Sequence, residues 1–540
     1  MNIVQRLIFG EPLLEREHAR MSPSTFQPSK TSSGNAGLVL PGLGAAAPTG
    51  RFPVKDSDTE AQTRILPKRA FEQPKLVREA TALVSDVSAA RLESRRLADR
   101  RASERLKALI CAQTSRACEE HFGKTLRSVL LTGSLARDEG TFVQEKRERW
   151  TCLGDAEFLL IFKRGAPVPS QAVLAMFQRE IEGMLEGHGL ICRTRISALH
   201  PADLRKLGPR IYTFELRNCG QAIWGDAGAL ALIPDFSPSE IPLEDGWRLL
   251  CERIVEQLSV ADQLLEWRPT LSAEAHYQTV KLYLDMATSF LLFSGVYAAT
   301  CRERSKRLAM LARNARAVAE YPFALRDFSS QVEACTQWKL SSGEAVESET
   351  RNFWETAVVY AWLLWRWELA RLTGADPRLG EFRLLRRWFR LQPLGERWRE
   401  WAHALKQSRG YRNWRQWPRW ARLGLRASPR FWIYAAASDL FFSLPWFPNG
   451  YGGPMIDVNW AKVREWLPFS RNDVGAQALP EWHRLASDIV WNYQQIFQDT
   501  SGREIGIEAG RSKVISFQTV GNYRISEEQR LRVWGSEESW

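Results

Sequence analysis

The spacing of apolar residues changes near residue 240 of this 540-residue chain. Between Leu126 and about residue 219, short runs of strand-like composition alternate with segments of helical periodicity. Beyond Trp247, nearly every segment repeats its apolar residues at helical spacing. Because interleaved strands and helices form a sheet covered by helices, the pattern predicts an α+β fold. Its α/β-type sheet domain is followed by a mostly α-helical region.

Four strands are predicted in the sheet domain: SVLLTG (128–133), GDAEFLLIFKRG (154–165), ICRTRISAL (191–199) and RIYTFELRN (210–218). An amphipathic helix over 169–189 lies between the second and third strands, opened by Pro and Ser and closed by Gly. A charged helix over 75–121 precedes the sheet, and a small strand is predicted at 513–520.

Composition divides the chain further. Residues 21–70 are rich in Ser, Pro, Gly, Ala and Thr, which cannot bury enough apolar surface to order the segment. The run LIPDFSPSEIPLEDG (232–246) has three prolines and is interpreted as a connection between domains. The predicted organisation is a flexible leader (1–70), the sheet domain (71–232), a helical domain packing on it (245–345), an Arg/Trp-rich helical domain (346–500) and a polar tail (501–540).

The net charge of +12 is concentrated in one segment. Between Arg383 and Arg430 there are thirteen arginines and one lysine against Glu396 and Glu400, so the rest of the chain is close to neutral. Arginines and tryptophans alternate there. Three interpretations of residues 383–432 stay open: contact with RNA phosphates and bases, contact with a membrane surface, or a helical domain with core tryptophans and stacking arginines.

Several classes of protein are disfavoured. The eight cysteines are scattered without a C-x-x-C pair, so neither a disulfide framework nor a zinc site is indicated. The most apolar segment, Tyr283 to Thr300, carries Asp285 and predicts a buried helix rather than a membrane span. The first residues have too short an apolar run for a signal peptide. We therefore expect a cytoplasmic location, peripheral to a membrane if residues 383–432 bind lipid.

Two carboxylates lie at the start of the second predicted strand. Residues i and i+2 of a strand point to the same face, so Asp155 and Glu157 share a face while Ala156 turns into the fold. The apolar run FLLIF that follows predicts a central, buried strand and argues against a solvated edge. Two adjacent like charges need a cation, and Mg²⁺ prefers carboxylate oxygens. The pair therefore indicates a metal site.

A tight Gly-Ser turn follows the first predicted strand. Gly133 lets the backbone approach a ligand closely, and Ser134, with the amides of the turn, can donate hydrogen bonds to a phosphate. Either motif alone is common by chance. A strand, a Gly-Ser turn and a helix start, followed by a strand with Asp-x-Glu, is considerably more specific. Nucleotidyl transfer needs both parts, because it must position phosphates and a divalent cation.

The pattern LLTGSLARDEGT…LGDAEFLLIF resembles the nucleotidyltransferase superfamily of DNA polymerase β, poly(A) polymerases and aminoglycoside nucleotidyltransferases. The family signature is a hydrophobic residue, Gly-Ser, a spacer and then Asp-x-Asp or Asp-x-Glu. The resemblance covers roughly residues 100–230. It implies that Gly133 and Ser134 bind the triphosphate, and that Asp155 and Glu157 hold Mg²⁺, or Mn²⁺ in its place.

The resemblance also implies a third carboxylate on a later strand, and Glu215 in RIYTFELRN is the best match. Asp is more usual at that position. The spacer before Asp155 is longer than usual, so TFVQEKRERWTC (141–152) is interpreted as an insertion. A helical bundle often follows the sheet in this superfamily, and Lys281 matches a lysine there that reaches the triphosphate. The alternative for Lys281 is a solvated side chain paired with Asp285 at i+4.

Together these inferences predict a Mg²⁺-dependent nucleotidyltransferase whose catalytic and metal-binding residues are Asp155, Glu157 and Glu215. It would transfer a nucleoside monophosphate from an NTP, with ATP favoured, to an unidentified hydroxyl acceptor. That acceptor is a small molecule, a protein side chain or an RNA 3′ end. The alternative is a catalytically weak or inactive nucleotide-binding module whose basic, Trp-rich region binds RNA, a protein partner or a membrane surface.

Overall fold

The structure is a computed structural model. It describes residues 75–144, 149–265, 273–313, 321–341, 350–407, 416–443, 460–469 and 481–496. The chain divides into two compact units; the smaller spans Leu13–Glu93, of which residues 75–93 are described and helical. The larger unit, from Ser94 onward, contains the strands and the later helices. The predicted leader, the predicted tail and the predicted strand at 513–520 lie outside the described residues.

Strands and helices alternate up to residue 225. The strands are β1 (Leu126–Thr132), β2 (Phe142–Gln144), β3 (Trp150–Cys152), β4 (Ala156–Phe162), β5 (Leu190–Ile191), β6 (Thr194–Leu199) and β7 (Gln221–Gly225). The helices are α1 (Lys75–Phe122), α2 (Gly133–Ala136), α3 (Gln171–Gly187), α4 (Pro201–Leu204) and α5 (Ile211–Cys219). Ser170 caps α3 by accepting a hydrogen bond from the Val173 amide. The first three predicted strands and the helix between the second and third are confirmed.

The main sheet has four strands in the order β6-β4-β1-β7. Strand β1 is antiparallel to β4 and β7, and β6 is parallel to β4. Alternate residues of β4 bury themselves in clusters on opposite faces, with Phe158 and Leu160 in one and Leu159 and Ile161 in the other. This confirms β4 as a central, buried strand. The predicted insertion at 141–152 contributes β2 and β3, which pair in a second sheet of order β2-β3-β5.

The prediction of a fourth strand over residues 210–218 is wrong, because Ile211–Cys219 is the helix α5. Its buried residues, Ile211, Thr213 and Leu216, do not follow the alternation of a strand. The start of the helix is held by Asp245, whose carboxylate accepts a hydrogen bond from the Ile211 amide at 2.8 Å. Since Asp245 lies far along the chain, tertiary contacts here override local β-propensity. The fourth strand of the main sheet is instead β7.

The remaining described chain is helical, after a short 3₁₀ turn at 227–232 and a second at 238–240 within the predicted connection. The helices are α6 (Leu243–Leu265), α7 (Ala273–Phe293), α8 (Cys301–Arg313), α9 (Leu325–Leu340), α10 (Thr350–Thr373), α11 (Glu381–Leu391), α12 (Leu394–Gln407), α13 (Trp417–Gly424), α14 (Pro429–Phe442), α15 (Trp460–Trp466) and α16 (Glu481–Ile496). The fold is therefore mixed, with a small sheet domain followed by a mostly helical region.

One hydrophobic cluster extends through the helical region from Trp247 to Ile496. It draws apolar side chains from both predicted helical segments, 245–345 and 346–500, so these segments share one core. Trp401 and Trp420 of the Arg/Trp-rich segment are buried in it. No helix in the described ranges combines the length and the apolar character needed to cross a membrane.

Candidate functional site

A cleft of about 450 Å³ opens between one end of the main sheet and helices α5, α6 and α7. All the predicted site residues line it: Gly133, Ser134, Asp155, Glu157, Glu215 and Lys281. Nine arginines and lysines and seven aspartates and glutamates contribute to its walls. Most of these charges are paired, but the excess of cations suits an anionic ligand.

The Gly-Ser turn closes the sheet end of the cleft. Gly133 has a backbone φ of +68°, in the region that favours glycine. A Cβ atom at this position would lie 2.9 Å from Oε2 of Glu157, so a side chain would collide with the carboxylate. The same oxygen accepts a hydrogen bond from the Thr132 hydroxyl at 3.3 Å. The turn and the second acid of Asp-x-Glu are therefore fitted directly against each other.

Three neighbouring strands place a row of side chains across the end of the sheet. Thr132 of β1 pairs with Glu157 of β4, and Glu157 pairs with Arg195 of β6. Residues in register on adjacent strands share a face, so Arg195 points to the same side as Glu157. Its Nε lies 2.6 Å from Oδ2 of Asp155. The basic residue next to the carboxylate pair is thus supplied by the adjacent parallel strand.

Arg195 was not among the residues predicted for the site. Buried and outward residues alternate in TRISAL, so Arg195 lies on the outward face of the strand. This alternation could have identified it as a residue that faces solvent or a ligand. The alternation does not reveal which strand lies alongside, because β4 and β6 are joined through the long helix α3. The side chain of Arg195 is 67% exposed, so its pairing with Asp155 is readily broken by a ligand.

Helix α7 approaches the sheet at Gly154. A Cβ atom on Gly154 would lie 3.0 Å from the Tyr277 hydroxyl and 3.6 Å from Oγ of Ser134. Tyr277 is buried, and its burial raises its pKa well above the usual range, so it remains a neutral hydrogen-bond donor. Gly154 therefore leaves a narrow space between two hydroxyl groups, at the point where Asp155 begins the strand.

Lys281 lies one turn beyond Tyr277 on α7. Its ammonium is 3.7 Å from Oε2 of Glu256 and 5.6 Å from the Tyr277 ring centre. The alternative partner, Asp285, instead binds Arg253, with 2.7 Å between Oδ2 and Nε. Burial would raise the pKa of Glu256, but Arg253 and Lys281 together lower it. Lys281 is thus placed in the cleft wall, where it shares Glu256 with a second cation.

A further lysine, which the sequence did not single out, also lies close to the Tyr277 ring. Lys339 of α9 is 5% exposed, and its ammonium is 5.3 Å from the Tyr277 ring centre. Burial lowers the pKa of Lys339. The sequence around Lys339 shows ordinary helical periodicity and does not indicate that it lines the cleft. The packing of α9 against α7 and α8 brings it there.

Glu215 lies in a buried ionic network rather than beside Asp155 and Glu157. Its carboxylate contacts Arg137 at 2.5 Å and Arg304 at 3.3 Å, and accepts a hydrogen bond from the Tyr297 hydroxyl at 2.8 Å. Arg137 also pairs at 2.9 Å with Glu139, which is 2% exposed. Burial would raise the pKa of Glu139, but Arg137 and Arg304 lower it. This network joins the turn after β1 to helices α5 and α8.

The number of carboxylates that lie together determines how the cleft could bind a metal ion. Within the described part of the chain, no three His, Cys, Asp or Glu side chains are grouped so that they could bind one metal ion. Mg²⁺ is often held by one or two carboxylates together with the phosphates of a substrate. Asp155 and Glu157, fitted against the Gly133 backbone, suit that shared arrangement. They do not form a site that would hold a metal through protein groups alone.

Replacing Glu215 with alanine is expected to destabilise the protein by about 3 kcal/mol, because it leaves the buried Arg304 and the mostly buried Arg137 short of a partner. Urea denaturation measures the change. The matched control is Glu303→Ala on α8, which removes a half-exposed carboxylate paired with Arg307 at 3.1 Å and should cost less than about 1 kcal/mol. A Glu215→Gln variant of normal stability but weakened Mg²⁺ dependence would instead favour the predicted metal role.

No family model, curated protein or solved structure matches this chain.

Proposed function

We propose that the cleft binds a nucleoside triphosphate with Mg²⁺ and transfers the nucleoside monophosphate to a hydroxyl group of an acceptor. One observation carries the proposal. The Gly133-Ser134 turn and the Asp155/Glu157 pair, which are separated in sequence, meet at the end of one sheet and open into a cleft with excess positive charge. A phosphate-binding turn beside a carboxylate pair is the combination that this reaction requires.

The chain's own groups would bind and orient the triphosphate. The Ser134 hydroxyl makes no hydrogen bond to any described residue, so it is available to donate to a phosphate oxygen. Lys281 and Lys339, at 5.6 Å and 5.3 Å from the Tyr277 ring centre, would offer ammonium groups to the triphosphate from the helical side. Gly154 keeps the space between Ser134 and Tyr277 open for the phosphates. Binding energy from these contacts would position the α-phosphorus for in-line attack.

Asp155 and Glu157 would hold Mg²⁺, which supplies charge neutralisation on the phosphates and polarises the phosphorus under attack. The acceptor oxygen forms a bond to the α-phosphorus as the bond to the bridging oxygen breaks. Pyrophosphate leaves with the electron pair, and the hydroxyl proton passes to solvent. Arg195 would exchange Asp155 for a phosphate oxygen, since an ion pair of an exposed guanidinium is weak and easily broken.

A second candidate is a module that binds nucleotides without turnover. The ion pair between Arg195 and Asp155 favours it, because a guanidinium 2.6 Å from a carboxylate competes with a metal for that oxygen. In this case the triphosphate is held by the turn and the cleft cations, and its binding does not need Mg²⁺.

One assay distinguishes the two candidates. The protein is incubated with each α-labelled NTP, with and without Mg²⁺, alone and with small-molecule, protein and RNA acceptors. Pyrophosphate release with transfer of label, only when Mg²⁺ is present, is the expected result. Equilibrium binding of an NTP without release of pyrophosphate would favour the second candidate. Failure to retain any NTP at millimolar concentration contradicts both.

A further inference from the structure

The helices α12 and α13 expose an apolar surface in the Arg/Trp-rich segment. Six of the twelve large apolar side chains that are exposed in the described chain lie between residues 382 and 425. Such a concentration within one short stretch is unusual for a surface facing only water. The six are Phe382, Leu391, Leu394, Trp398, Trp417 and Leu425.

Two rows of these residues follow helical spacing. Leu394, Trp398 and the exposed Ala402 repeat every four residues on α12. Trp417, the exposed Ala421 and Leu425 do the same along α13 and its C-cap. Each row is therefore a continuous stripe on the outer face of its helix, on the side away from the shared core.

The two rows meet. A Cβ on Gly424 would lie 3.1 Å from the Trp398 ring, so the indole packs directly on the backbone before Leu425. Arg397 of α12 donates a hydrogen bond to the Leu425 carbonyl at 3.0 Å, which fixes the end of α13 against α12. Leu394 and Leu425 are 58% and 63% exposed. We call the two rows together the apolar strip.

Exposed arginines adjoin the apolar strip at Leu425 and cover the helix that precedes it in the chain. Arg422 and Arg426 lie beside Leu425, and α11, which leads into α12, turns four arginines to solvent. Within the described residues none of these six side chains forms a salt bridge. The four on α11 are Arg383, Arg386, Arg387 and Arg390. The surface thus combines exposed leucine and tryptophan with unneutralised guanidinium groups.

We propose that the apolar strip and its arginines dock on a membrane surface that contains anionic lipids. Leucine and tryptophan enter the boundary between headgroups and acyl chains, while arginines bind the anionic headgroups. A single-stranded nucleic acid would use aromatic rings for stacking but would leave Leu394 and Leu425 without a role. A second copy of the chain would bring like-charged arginines together, which opposes a symmetric contact.

The test is co-sedimentation of the full chain with phosphatidylcholine vesicles, with and without phosphatidylserine. Binding to the anionic vesicles that weakens at high salt is expected. The double variants Leu394→Gln/Leu425→Gln and Arg422→Glu/Arg426→Glu should each reduce partitioning at least about tenfold. Because all four residues are exposed, melting temperatures should stay close to the parent's.

Matched controls alter the same residue types elsewhere. Met176 and Met310 are 65% and 68% exposed, so Met176→Gln/Met310→Gln changes comparable apolar surface away from the strip. Arg302→Glu/Arg326→Glu makes the same change of charge. Controls that lose binding equally, or vesicles that bind regardless of lipid charge, overturn the proposal. The proposal is also overturned if the protein binds single-stranded RNA but not vesicles. It is equally overturned if the protein self-associates and Leu394→Gln/Leu425→Gln abolishes that self-association.

Discussion

Asp155→Asn is expected to lower the rate of nucleoside monophosphate transfer by a factor on the order of 10³, while the melting temperature stays near that of the parent. The carboxylate charge would hold the divalent cation against the phosphates, and such charge stabilisation is typically worth several kcal/mol in the transition state. Stability changes little because, among the described residues, Asp155 forms its ion pair with Arg195, which is largely exposed. Pyrophosphate release in the NTP assay measures the rate.

Asp138→Asn is the matched control. Asp138 is a nearby carboxylate that is 74% exposed and paired with Lys107 at 2.5 Å. Its backbone φ is 57°, a conformation that asparagine tolerates. This variant should transfer nucleotide at the parental rate. An Asp155→Asn protein as active as the parent would remove this cleft from the proposed reaction.

Glu368→Gln is expected to stabilise the protein at pH 9 relative to the parent, with little gain at pH 5. Glu368 of α10 is fully buried and accepts a hydrogen bond from the Ser289 hydroxyl at 2.6 Å. Burial raises its pKa from 4.5 to about 8. A carboxyl whose pKa is raised on folding contributes stability that is complete below the unfolded pKa. That contribution is lost as pH rises through the folded pKa.

The free energy of unfolding of the parent is expected to fall by an amount on the order of 5 kcal/mol between about pH 4.5 and pH 8, since each pKa unit corresponds to about 1.4 kcal/mol. Glutamine is neutral at every pH, so the free energy of unfolding of the variant should not show this decrease with rising pH. Urea denaturation from pH 5 to pH 9 measures both proteins. Glu104→Gln, at a 63% exposed carboxylate on α1, should follow the parent. If the free energies of unfolding of the parent and Glu368→Gln changed with pH in the same way, burial would not raise the pKa of Glu368.

The local parts of the candidate site were predictable. The apolar run after Glu157 identified β4 as a central strand, because a strand buried on both faces has no polar alternation. The i, i+2 spacing placed Asp155 and Glu157 together for the same local reason. The local sequence pattern wrongly predicted a strand for the segment that contains Glu215. Its segment alternates like a strand, but the helix that it forms is set by Asp245 and by packing on α6 and α7.

By itself, the sequence determined the first three strands, the Gly133-Ser134 turn, the carboxylate pair and the helical character of the rest. These features depend on side-chain periodicity and on glycine's tolerance of positive φ, which act over a few residues. Tertiary structure alone decided that Arg195 faces Glu157, that Lys339 reaches the cleft and that Glu215 joins a buried network. Those neighbours come from distant elements, and strand order and helix packing are set by long-range contacts that no local pattern encodes.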